Sequence, residues 1–183
     1  MARSLARTAR SFGLSDEGLE LLTSAHALAM EPRTRTLDDD HHPAYLHPGR
    51  TVLVLLRDAA VREARVLAAG ALLESRDGGL QVALDAIEEE LGHGVAGLVA
   101  EAPAPGEEGL AEALVTAPEE VRLASLAEHL DHLRHLHVRG PAPDWGERLE
   151  EVEAVWLPVA RRTHEGLAGR YAHWAKVFRR RLS

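Results

Sequence analysis

The sequence predicts an all-α fold, and three observations support that expectation. Ala, Leu, Glu and Arg dominate, while Ile87 is the sole isoleucine and Phe12 and Phe178 the sole phenylalanines, so the residues that favour strands are scarce. Apolar residues recur at three- and four-residue spacing through most of the chain. Glycine and proline gather at a few points between those stretches, where they act as breaks. At 183 residues the chain has the length of one compact domain with a sizeable core. No segment repeats another and no low-complexity linker divides it, so a single helical bundle over 1–183 is expected.

The elements follow in order. Residues 1–14 carry Arg3, Arg7 and Arg10 at i, i+4, i+7 without an acid. They read as an N-terminal extension or first helix with a solvated basic face, a pattern that transit peptides and surface-binding helices share. Ser15 is placed to cap a helix whose first turn holds Asp16 and Glu17 and whose apolar side is Leu19, Leu22, Ala25, His26 and Ala29. That helix ends before Pro32. Residues 31–43 have two prolines, Asp38 to Asp40 and His41-His42 but no apolar period, and read as a solvated acidic, histidine-bearing loop. From Pro48, an early helical position where a missing N–H is harmless, helices are predicted over Gly49–Leu56, Ala59–Glu74, Leu80–Leu91 and Gly94–Ala102. The Pro103 to Gly106 run is a loop. Beyond it come a short helix near Leu110–Val115, a long one from Pro118 to about Val138, a turn at Gly140 to Pro143, and an amphipathic stretch from Asp144 to the end.

Composition excludes several function classes. A formal net charge of −8 disfavours nucleic acid, since phosphate neutralisation needs clustered, unopposed cations. The run Arg179 to Arg181 is too small to change that, and it suits the C-terminal end of a helix. Without cysteine there is no disulfide, thiolate metal site or cysteine nucleophile. The apolar stretches are broken well before about 18 residues and the start has no apolar signal core, so a cytoplasmic protein without a membrane span is expected.

Four segments carry a motif frame: Ala44 to Val52 (AYLHPGRTV), Leu67 to Ser75 (LAAGALLES), Leu91 to Val99 (LGHGVAGLV) and Leu126 to Arg134 (LAEHLDHLR). With Ala25-His26 and Leu157-Pro158-Val159-Ala160, they follow the order and spacing of the HD-superfamily hydrolase domain of RelA/SpoT-type alarmone enzymes. The chain resembles that family from about Ala25 to Arg162. The resemblance implies an HD-type helical fold and a metal site that hydrolyses the 3′-pyrophosphate of guanosine alarmones with manganese. Hard divalent cations take carboxylate and imidazole ligands and can activate a bound water.

Residue by residue, that site is only partly kept. The His-Pro ligand corresponds to His47, the His-Asp pair to Glu74 and Ser75, the later Asp to Glu128, and an Asn one turn on to His132. The water-positioning Glu-Asp pair falls on Gly78-Gly79, with Asp77 adjacent as the candidate general base. The substrate-contacting basic pair has its nearest counterparts in Arg33 and Arg35. The candidate metal ligands are therefore His47, Glu74, Glu128 and His132, with manganese the expected ion if one binds. Since Glu128, His132 and His135 lie opposite the Leu123, Leu126, Leu130 and Leu133 stripe, they also fit a solvated helix face. His26 reads as a hydrogen-bonded packing residue, His129 as a surface or boundary position, and Trp145, Trp156 and Trp174 as packing.

The leading expectation is a divergent protein with a degenerate metal site, non-hydrolytic and binding a guanine or alarmone-like nucleotide or a protein partner. The alternative is an active metal-dependent pyrophosphohydrolase working through a rebuilt His/Glu site. A structural or oligomerising helical role is a third, and the sequence leaves the oligomeric state open.

Overall fold

The computed structural model describes residues 2–35, 44–106, 108–136 and 144–182, and all regular structure among them is helical. The acidic loop beyond Arg35 up to Pro43, with His41 and His42, and the turn at Gly140 to Pro143 lie outside the described residues. Helix α1 (Ala2–Ser11) precedes α2 (Asp16–Met30), and a 3-10 turn at Pro32–Arg35 follows. Next come α3 (His47–Asp58), α4 (Ala64–Leu72), α5 (Leu84–Leu91) and α6 (His93–Ala100). The second half holds α7 (Leu110–Thr116), α8 (Glu119–Leu136), α9 (Trp145–Glu151), a π-helical turn at Val152–Trp156, α10 (Leu157–Thr163) and α11 (Glu165–Leu182).

Helix α1 is part of the packed body. Leu5 and Ala9 are buried against α2 and α3 while Arg3, Arg7 and Arg10 stay exposed, so the basic face is solvated as expected. Ser15 caps α2 in extended conformation, its hydroxyl accepting from the Gly18 N–H at 3.1 Å. Loss of that acceptor in Ser15→Ala should cost about 1 kcal/mol, read as a lowered urea midpoint at unchanged slope.

Three boundaries differ from the sequence expectation. Helix α4 starts at Ala64 rather than Ala59, because Ala60 takes a left-handed φ of 51° and Val61 turns back to donate to the Leu55 carbonyl. The segment before Leu84 is not helical, since only Gly78–Leu80 forms a 3-10 turn and Gln81 reaches back to the Glu74 carbonyl. The C-terminal stretch is divided at His164, whose extended backbone ends α10 and whose Nδ1 accepts from the Gly166 N–H. Gly166 is required there: a Cβ would sit 1.9 Å from the Asp58 carbonyl oxygen.

Helix α4 lies at the centre, packing on α2, α3, α6 and α8, and Val66 to Leu72 are all buried. A smaller apolar cluster joins Ala25, Leu28 and Ala29 of α2 to Ala68 and Leu72, Ile87, Val95 and Ala96. The larger one runs from α1 through α3 and α8 to Trp156, Tyr171 and Phe178. Gly70 lets α3 approach α4, since a Cβ there would meet Leu55 Cδ1 at 2.5 Å. The tryptophans pack as expected, Trp145 and Trp174 both against Phe178 with ring centroids 4.4 and 4.3 Å apart.

Candidate functional site

The ends of α3 and α4 and the middle of α8 converge on one buried polar centre. His47 opens α3, with Pro48 in its first turn. Leu73 ends α4 in extended conformation and so delivers Glu74 and Ser75 to that place. Helix α8 supplies Glu128, Asp131 and His132 from consecutive turns of one side.

His47 Nδ1 lies 2.8 Å from Asp131 Oδ2, and Arg50 Nε donates to both Asp131 oxygens at 3.0 Å. On the other edge of the ring, His47 Nε2 is buried and has no hydrogen-bond partner among the described residues. It lies 3.9 Å from Glu128 Oε1, and the ring stacks on His132 with centroids 4.3 Å apart. His132 Nε2 is 2.9 Å from Glu128 Oε1 and 3.5 Å from Glu74 Oε1. One potential ligand atom from each of His47, Glu74 and His132 lies within 4.8 Å of the others.

The two carboxylates are also held by the protein. Glu128 Oε1 accepts from Ser75 Oγ at 2.6 Å and from the Ser75 N–H at 3.0 Å. Where the family resemblance places a second acid, this chain has a donor that ties down the remaining one. Glu74 Oε2 accepts from Arg33 Nη2 at 2.9 Å in a fully buried pair, and Oε1 accepts from the Arg76 and Asp77 N–H groups. Arg33 itself is anchored on the Ala29 and Leu80 carbonyls.

Burial opposes charge on all of these groups, and the network overrides it. Glu74 is held at about 2, against its burial, chiefly by contact with His132. Glu128 is held well below the ordinary carboxylate range, against its burial, first by the charge of His132 and its hydrogen bond. His132 is raised to about 9, again against burial, by the charge and hydrogen bond of Glu128 and by Glu74. Linkage gives the sign for the metal-free protein. The His132 contribution is present below its unfolded value near 6.5 and lost as pH rises through about 9. The Glu74 contribution is present above about 4.5 and lost as pH falls through about 2. Stability in chelator should therefore fall as pH rises from 6.5 to 9, and chemical denaturation at several pH values should show this slope vanish in His132→Ala.

The sequence candidates thus divide. His47, Glu74, Glu128, His132 and Arg33 come together. Asp77 does not: it is exposed, and its Oδ1 accepts from the Gly79 N–H, capping the Gly78–Leu80 turn. The Arg35 side chain is outside the described residues. The solvated-face alternative for α8 fails, because Glu128 is 2 % exposed and Asp131 1 %; the side chain of His135 is not described.

Two further expectations need correction. His129 is buried rather than at the surface. It stacks on Trp156 at 3.8 Å and donates its Nδ1–H to Tyr171 Oη, whose hydroxyl donates to the Leu126 carbonyl. Burial holds it neutral. His26 is buried as expected, but its Nε2 has no hydrogen-bond partner among the described residues. Asp131 and Arg50 were not among the candidates. Their signal was an acid three residues after Glu128, on the helix face that Glu128 and His132 already defined.

A cleft of about 220 Å³ opens beside the centre, with Glu74, Ser75 and Glu128 at one end and walls that include Leu72, Val99, Pro103 and Trp156.

No family model matches the sequence, and no curated protein matches it either. Among solved structures, a metazoan ortholog of SpoT that hydrolyses ppGpp and plays a role in starvation responses superimposes with a TM-score of 0.65 at 23% identity. The alignment covers 91% of this chain and 96% of that one. The chain has the fold of the SpoT-type HD hydrolases. At this identity the likeness is one of fold, and any chemistry of the buried polar centre rests on the side chains described above. No described helix is long and apolar enough to cross a membrane.

Proposed function

We propose that this SpoT-type HD-fold protein binds a divalent metal ion, manganese by the family resemblance, and through it a guanine or alarmone-like nucleotide that it does not hydrolyse. The observation that supports the metal is His47 Nε2, a buried nitrogen without a partner beside Glu74, Glu128 and His132. Two imidazoles and two carboxylates are a workable set for manganese, iron or zinc. When bound, the ion supplies the positive charge that phosphate oxygens need beside two buried carboxylates. Without it that end of the cleft would repel a phosphate.

The absence of turnover rests on the acids. Asp77 faces solvent and caps a turn, Ser75 stands in the place of an acid, and Glu74 and Glu128 already accept from Arg33, backbone amides, Ser75 and His132. Each of these carboxylates already has an oxygen engaged in hydrogen bonds that folding has made, and the one acid outside that network, Asp77, stands at the surface. The hydrolytic alternative has one observation in its favour, the same oriented His47, and the experiment separates the two.

Calorimetric titration of chelator-stripped protein with manganese should give one site that His47→Ala abolishes. In the loaded protein, ppGpp should then bind and be recovered unchanged by ³¹P NMR. Release of pyrophosphate that is lost in His47→Ala would establish the hydrolase instead, and no manganese binding by the intact chain would overturn both readings.

A further inference from the structure

Asp131 and Arg50 form a charged pair behind His47, on the side away from the carboxylates of the centre. We infer that Asp131 is a positioning residue that fixes His47 as the Nδ1–H tautomer, so that Nε2 is the ligand atom, and that Arg50 holds the carboxylate in place to do so. The inference rests on the metal-binding reading for its consequence, and on geometry alone for the tautomer.

The argument begins with donor capacity. A carboxylate only accepts, and Asp131 Oδ2 lies 2.8 Å from His47 Nδ1 with both side chains almost fully buried. The proton between them belongs to the imidazole. Arg50 Nε can only donate, and it reaches both Asp131 oxygens at 3.0 Å. The carboxylate is thereby held from both oxygens and kept from rotating away. With Nδ1 carrying the hydrogen, a neutral ring presents its lone pair at Nε2, and that is the buried atom left without a partner. Stacking on His132 and the first turn of α3 fix the ring plane.

The arrangement is a carboxylate–histidine relay of the kind that sets ligand identity and basicity at metal centres. Neither Asp131 nor Arg50 is among the candidate ligands of the site. Their part in it is exerted through His47.

Asp131→Asn tests this because it replaces one accepting oxygen by a donor while Arg50 competes for the oxygen that remains. The amide nitrogen then faces Nδ1 and favours the Nε2–H tautomer, which closes the ligand position. With ¹⁵N-labelled histidine and His47→Ala for assignment, the intact metal-free protein should show His47 as Nδ1–H, and Asp131→Asn should convert it to Nε2–H. Manganese affinity should fall by about 10- to 100-fold, and Asp131→Glu should restore the Nδ1–H signal. An Nε2–H signal in the intact protein, or an unchanged tautomer in Asp131→Asn, would overturn the inference. Should Asp131→Asn fail to fold, the intact protein's spectrum still decides. An Nδ1–H ring in a chain that takes up no manganese would leave the role of Asp131 standing and remove the metal-binding reading.

Discussion

Arg33→Met is expected to destabilise the protein by about 3–5 kcal/mol, because it leaves the Glu74 carboxylate buried without its cation. The Arg33 and Glu74 side chains are 0% and 4% exposed and meet at 2.9 Å. No solvent can take over the charge that the substitution abandons. The double variant Arg33→Met, Glu74→Leu removes both charges and keeps the volume, and its stability should return to within about 1–2 kcal/mol of the parent. Urea denaturation of the four proteins in chelator gives the coupling energy directly. A loss below about 1 kcal/mol in Arg33→Met would show that His132 and the Arg76 and Asp77 amides compensate Glu74 on their own. The result bears on function, since Arg33 then holds a candidate ligand carboxylate in place and its guanidinium is buried inside the fold. The substrate-binding role that its position suggested would have no exposed guanidinium to serve it.

Much of the helical layout was legible because it rests on local rules. The Ser15 cap, the break at Gly92 with its φ of 82° and the apolar stripe of α8 all read correctly. The misplaced boundaries had non-local causes. Ala60 turns as Val61 reaches back to α3, and after α10 the chain passes so close to Asp58 that only glycine fits at position 166. No pattern within either segment contains those partners.

The polar centre shows the same division. The order of motifs placed His47, Glu74, Glu128 and His132 together, and they do meet. The wheel of α8 suggested that its polar side faced water, because a wheel cannot distinguish solvent from the ends of two other helices. Those ends, His47 of α3 and the Glu74-Ser75 step after α4, are what cover Glu128 and Asp131. Asp131 escaped notice for the same reason: its role exists only opposite His47, 84 positions earlier in the chain.

Trp156→Ala is expected to cost about 3–5 kcal/mol, and its reach should extend beyond packing. Trp156 is 1% exposed and stacks on His129 at an interplanar angle of 14°, and its Nε1 donates to Glu151 Oε1 at 2.8 Å. It is also a wall of the cleft that ends at Glu128. Truncation opens a void between the cleft and the ring of His129, one residue from Glu128. Trp156→Phe keeps part of the stack but loses the hydrogen bond to Glu151 and some buried volume, so it should cost less than Trp156→Ala, about 1.5–3 kcal/mol. Thermal and urea unfolding give the two losses, and the ¹⁵N signal of His129 reports whether the Tyr171 relay survives. If Trp156→Ala were to cost no more than Trp156→Phe, the ring would contribute little beyond its indole N–H. A large difference between them, with the His129 signal broadened in Trp156→Ala alone, would tie the rigidity of the Glu128 side of the centre to an aromatic core that starts where the cleft ends.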